Sequence, residues 1–142
     1  MRRYHLASIA LAGACTTPSP IGQTYATALR IASQRNCPIF AGVSTTPSGH
    51  DLRIMINADT VSYAGGTTRD VAIGDPDDGV SSVLFSVDLM WMTGTTPVPV
   101  SIRYEGTAQY DNLDLVGTVT FPTANPETDR CEMTLTLFGF EE

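Results

Sequence analysis

Val80-Ser-Ser-Val-Leu-Phe-Ser-Val-Asp-Leu-Met-Trp-Met92 decides the fold. Val83, Phe85, Val87, Leu89 and Trp91 recur at every second position, with Ser82, Leu84, Ser86, Asp88, Met90 and Met92 between them. A period of two belongs to a strand, whose side chains alternate between faces; a helix would bring its apolar residues back every three or four positions. The second set begins polar and turns apolar at Met90 and Met92. The run therefore predicts a central strand, covered on one face throughout and on the other only partly.

The same alternation continues on both sides. Upstream, Leu52, Ile54 and Ile56 alternate with Arg53, Met55 and Asn57, and Thr60 to Ala64 reads as the hairpin return. Gly65-Gly66 is a turn, Arg69 to Ile73 a short strand, and Gly74-Asp-Pro-Asp-Asp-Gly79 a dense turn signal. Downstream, Gly94-Thr-Thr-Pro97 turns the chain into Val98–Tyr104, where Val98, Val100, Ile102 and Tyr104 share a face. Pro99 has no N–H to donate and places the start of that strand at an edge or bulge. Ala108 to Phe121 carries Leu113, Leu115, Val119 and Phe121 around Gly117, and Pro122 to Arg130 is a polar loop. In the last segment Cys131, Met133, Leu135, Leu137 and Gly139 face one way, and Glu132, Thr134, Thr136, Phe138 and Phe140 the other. Nineteen threonines suit exposed strand faces.

Nearer the start, Ile39-Phe-Ala-Gly-Val43 reads as a short apolar strand before the loop Thr45-Thr-Pro-Ser-Gly49. Gln23 to Asn36 reads differently. Tyr25, Ala28, Leu29 and Ala32 fall at helical spacing, Arg35 and Asn36 suit a C-terminus, and Pro38 stops continuation. The expected fold is mainly β: an antiparallel β-sandwich or small barrel of about eight short strands with one N-terminal amphipathic helix.

The N-terminal stretch carries a different kind of signal. Arg2 and Arg3 precede a short apolar run, Leu6 to Ala14, which ends in Ala12-Gly13-Ala14-Cys15. The run reaches the lower end of the roughly 7–15 residues of a secretion signal and falls short of the ~20 of a spanning helix. It resembles the bacterial lipobox. The resemblance implies a signal peptide at 1–14, a lipid on Cys15, a tether at 15–21 and a single β-rich domain at 22–142. It also implies a place on the periplasmic or extracellular face of the cell envelope, with the membrane as partner through the anchor and an envelope protein or component as a second partner. Pro18 and Pro20 favour extended backbone, as a tether requires. Two alternatives stay open: a secretion signal cut near Ala14 without lipid, and a retained segment in which Cys15 is a small buried residue.

Charge and cysteines narrow the function classes. All eight basic residues are Arg, and fifteen carboxylates leave a net charge of −7. Nucleic-acid binding depends on clustered basic residues and is disfavoured; so is adsorption to an anionic bilayer by charge. With Cys15 assigned to lipid, Cys37 and Cys131 form an even pair. In an oxidising compartment they are expected to make one disulfide between the N-terminal region and the last strand, worth about 4–5 kcal/mol in the chain-entropy view.

Candidate chemistry is thin. Asp75, Asp77 and Asp78 offer hard oxygen ligands of the type calcium takes, without EF-hand spacing, and Asp in turns commonly caps its own backbone. His50-Asp51 is a histidine beside a carboxylate, but neighbours on a strand point to opposite faces. Tyr104, Glu105, Tyr110 and Asp111, with Asp114, surround an expected hairpin at Gly106 and suit a sugar or peptide. Trp91 with Met90 and Met92 fits an apolar pocket or plain core. No haem-attachment motif, phosphate-cradling loop or dinucleotide fingerprint is present, so no cofactor is expected. The expected function is a non-enzymatic, membrane-tethered lipoprotein with a binding or structural domain. The alternative is a self-assembling subunit of a virion, tail or filament with residues 1–20 as an arm. A hydrolase built on His50 is a third.

Overall fold

The computed structural model describes residues 18–40, 52–93, 95–123 and 125–142. Within them the alternating segments form eight strands: β1 (Gln23–Arg35), β2 (Leu52–Ile56), β3 (Val61–Tyr63), β4 (Gly66–Ile73), β5 (Ser81–Thr93), β6 (Thr96–Ala108), β7 (Asn112–Thr120) and β8 (Glu132–Glu141). They make one antiparallel sheet in the order β3-β2-β1-β8-β7-β6-β5-β4. The two edge strands, β3 and β4, are consecutive in the chain and joined by Ala64-Gly65, so the sheet curls into a nearly closed barrel. At this seam the Thr68 hydroxyl donates to the Val61 carbonyl at 2.7 Å.

β5 is the strand its alternation predicts. It pairs with β6 along its full length, from Ser81 opposite Ala108 to Thr93 opposite Thr96. Val83, Phe85, Val87 and Trp91 point inward and are buried. The second face is partly covered, as expected: Ser86 is buried, while the apolar Met90 and Met92 are 53% and 47% exposed. β6 pairs with β7 only from Ser101 onward, so Pro97 and Pro99 lie where β6 has β5 alone as partner, the position that tolerates a missing N–H.

The expected N-terminal helix is a strand, and no α-helix occurs among the described residues. Tyr25, Thr27 and Leu29 point inward, while Ala28 and Ala32 are exposed. The helical pattern relied on those two alanines, which tolerate either environment. The buried alternation runs instead through Thr27, whose hydroxyl donates to the Leu52 carbonyl at 2.7 Å. β-Branched Thr24, Thr27 and Ile31 favour extended backbone, and β1 gains ladders on both sides, with β2 and β8. A register shift between Ile31 and Ser33 bends its second half. The strand expected at 39–43 is also corrected: Pro38–Phe40 is a single 3-10 turn, and residues 41–43 lie outside the described residues.

Large apolar side chains fill the interior. Tyr25, Ile54, Ile56, Phe85, Trp91, Ile102, Tyr104, Leu113, Leu115, Leu135 and Leu137 are all fully buried, each contributing about 1.5–3 kcal/mol through removal from water. Beyond the Arg35–Glu132 pair that ends the β1–β8 ladder, Cys37 and Cys131 form the expected disulfide, with Cα atoms 4.5 Å apart and a sequence separation of 94. That end of the barrel also holds Phe40, packed edge-on against Trp91 at 5.7 Å and stacked on Phe121 at 6.0 Å. The other end gathers residues 18–22, the turns at 57–60, 74–80 and 109–111, and the last two residues.

Candidate functional site at the barrel end

The acidic turn is built by its own backbone chemistry. Asp77 and Val80 exchange backbone hydrogen bonds of 2.9 and 3.0 Å. Between them Asp78 and Gly79 have φ of 55° and 79°, the positive values that a tight primed hairpin turn demands and that an Asp-Gly pair supplies. Asp75, Asp77 and Asp78 are exposed. Among the described residues no group of three His, Cys, Asp or Glu converges to hold a metal ion.

The β6–β7 turn lies beside it. It closes at residues 109–111, where Gln109 N–H donates to the Asn112 carbonyl at 2.8 Å, and not at Gly106. Gly106 sits inside β6 opposite Leu115. Tyr25 reaches up from the interior and donates its hydroxyl to the Gln109 carbonyl at 2.5 Å. Burial, reinforced by Glu141 and Asp111, pushes that phenol up to about 12. The exposed Tyr110 hydroxyl is also raised, chiefly by its hydrogen bond to the Glu141 carboxylate.

Asp78, Gly79, Val80, Gln109, Tyr110 and Asp111 together with Pro18 line a shallow hollow of about 260 Å³. It joins one carboxylate of the acidic turn, Asp78, to two of the four aromatic and carboxylate candidates, Tyr110 and Asp111. The other two lie elsewhere. Tyr104 points into the barrel, where its hydroxyl is 2.9 Å from that of Tyr63, and burial raises its pKa well above the ordinary phenol range. Glu105 faces outward on β6 and borders a groove with Ile73, Leu84 and Val116. Trp91 is core: its ring is fully buried and its indole N–H has no hydrogen-bond partner. Cys15, His5, His50 and Asp51 lie outside the described residues.

The end is acidic. Asp59, Asp75, Asp77, Asp78, Asp111, Glu141 and Glu142 gather there. Arg53 pairs with Glu142, its Nε 2.8 Å from both carboxylate oxygens, an exposed contact of small energetic weight. Elsewhere on the surface Arg69 pairs with Asp88 at 2.9 Å and Asp70 at 2.8 Å, and Arg69 with Ser101 holds the Asp88 carboxyl below its ordinary range.

The outer face of β8 was not singled out from sequence. Phe138 and Phe140 are 45% and 69% exposed and stand opposite Ala28 and Ala26 of β1. With Leu52 and Arg53 they border a groove of about 280 Å³. The signal was present, since the outward set Glu132, Thr134, Thr136, Phe138, Phe140 turns apolar at its end. Compared with known protein families, with curated proteins and with solved structures, the chain matches none.

Proposed function

We propose that the chain is a lipid-anchored protein of the cell envelope, on its periplasmic or extracellular face. Residues 1–14 are removed, Cys15 carries the lipid, and the barrel is a non-enzymatic binding or structural domain. The observation that carries this reading is the run from Arg2 to Cys15: basic pair, short apolar stretch, three small residues, cysteine. The Cys37–Cys131 disulfide supports it, because disulfides persist in oxidising compartments. The acidic end beside Pro18 supports a lipid as the means of attachment, since its charge is repelled by anionic headgroups. The hollow at that end and the groove beside Phe140 are the surfaces available to an envelope component.

The mass of the native N-terminus tests the proposal. A chain beginning at Cys15 with added acyl mass is expected, and Cys15→Ala is expected to leave the membrane fraction. An unmodified soluble chain, or one that retains Met1, overturns it.

A further inference from the structure

We infer that Met90 and Met92 are a reversible oxidation site: hydroperoxides convert both thioethers to sulfoxides ahead of Met55 and Met133, and the barrel stays folded. The pair lies towards the barrel end opposite the acidic hollow. The site does not depend on the lipid at Cys15.

Topology exposes the pair. β4 accompanies β5 only as far as Gly66 opposite Leu89, and β7 accompanies β6 only from Ser101. Among the described residues, the hairpin over 90–99 therefore runs on past the sheet with each strand as the other's ladder partner. Met90 and Met92 stand two positions apart and share its outward face, across from Pro99 and Pro97. They are 53% and 47% exposed, against 38% for Met55, which has β1 on one side and β3 on the other. Met133 is inside the barrel at 3%.

Chemistry singles out these sulfurs. Cys37 and Cys131 are joined to each other, so among the described residues no thiolate competes for a peroxide. A thioether lone pair attacks one peroxide oxygen and the O–O bond breaks. The new S–O bond keeps that oxygen, its proton passes to the departing hydroxide, and water leaves. Sulfur is oxidised to the sulfoxide and the peroxide is reduced to water.

The product is polar where the thioether was apolar, which disrupts a core. Here the change falls outside the core. Trp91, between the two methionines, holds the inner face and packs edge-on against Phe40, while the new sulfoxide oxygens are hydrated and bury no acceptor. The same exposure leaves both open to the reductases that reverse the reaction. Oxidation thus turns the outer face of the hairpin polar and spares the barrel.

Dilute hydrogen peroxide on the full chain, followed by peptide mass mapping, tests the site. Sulfoxide is expected at positions 90 and 92 several-fold faster than at 55, and about tenfold or more faster than at 133. The urea midpoint should not move once the pair is modified, and methionine sulfoxide reductases for both epimers should restore the mass of the native chain. In concentrated urea the four rates should level, because the fold is what separates them. Met90→Leu/Met92→Leu should keep the strand signal in circular dichroism and lose the fast phase of peroxide consumption. Equal rates in the folded chain, a ranking that persists in urea, a fast phase that survives the double substitution, or unfolding with the pair alone oxidised each overturns the inference.

Discussion

Tyr63 and Tyr104 share a hydrogen bond of 2.9 Å between their hydroxyls inside the barrel, although their strands, β3 and β6, are not neighbours in the sheet. Phe85 packs against both rings, with centroids 5.2 Å from Tyr104 and 6.3 Å from Tyr63. The trio spans the seam that the backbone ladder leaves open. Tyr104→Phe strands the Tyr63 hydroxyl in a dry interior and is expected to cost about 1–3 kcal/mol. Removing both hydroxyls leaves no orphan, so Tyr63→Phe/Tyr104→Phe should recover most of that loss. Urea unfolding of the four proteins gives the coupling; losses that simply add show that the hydroxyls do not depend on each other.

The same phenols set an alkaline limit. Burial raises Tyr63 to about 12 and Tyr104 well above its ordinary value. In the unfolded chain a tyrosine ionises near pH ~10. The folded state therefore holds these protons more tightly than the unfolded one. Their contribution is whole below pH ~10 and is lost as pH rises from there through the folded value. For Tyr63, whose phenol is raised to about 12, the loss comes to about 3 kcal/mol at full ionisation. The urea midpoint should be flat up to pH ~10 and fall beyond it, and Tyr63→Phe should fall less steeply. A midpoint indifferent to pH across that window contradicts the assignment.

Cys37 and Cys131 close a loop across 94 residues of sequence. Because they lie just past the β1–β8 ladder, the native barrel has little need of the bond; the unfolded chain is what it restrains. Cys37→Ala/Cys131→Ala is expected to keep the strand signal in far-UV circular dichroism while losing about 4–5 kcal/mol of unfolding free energy. A loss below ~1 kcal/mol, far from the chain-entropy value, shows that the unfolded chain is already compact enough to make the bond redundant.

The sheet was legible wherever strongly apolar residues carried the alternation. Val83, Phe85, Val87 and Trp91 admit one period only, and β5 followed from them. β1 did not, because Ala28 and Ala32 satisfy a helical template without needing burial, while Thr27, a polar residue, occupies the inward position. Its hydroxyl finds the Leu52 carbonyl on β2, a partner set by the tertiary pairing and invisible along the chain. The disulfide was legible from the parity of cysteines, and the turn at Asp78-Gly79 from its residue pair. The hollow that joins Asp78 to Tyr110 was not, since it depends on two turns more than thirty positions apart meeting at one barrel end. The aromatic and carboxylate candidates were split by the pleat: Tyr104 faces in and Glu105 faces out.

Gly106 was read as a turn and is a crossing point instead. A Cβ there would run into the backbone carbonyl oxygen of Asp114 and come within 3.0 Å of Leu115 Cα. Both atoms belong to β7, whose ladder with β6 runs from Ser101 opposite Thr120 to Ala108 opposite Leu113. The obstruction is main chain, so relief requires the two strands to part and neighbouring hydrogen bonds to lengthen. Gly117 makes a useful contrast: its Cβ would meet side chains, Tyr104 Cε1 at 2.7 Å and Ile102 Cγ2 at 2.9 Å, which can rotate or shift within the core. Gly117→Ala is therefore expected to cost about 1–3 kcal/mol, the usual range for overpacking. Gly106→Ala should exceed it, with increased amide exchange at Thr107 and Asp114 where the ladder opens. Equal costs, or exchange unchanged along β6 and β7, would mean that the strands have room to spare and that Gly106 is not what lets them approach.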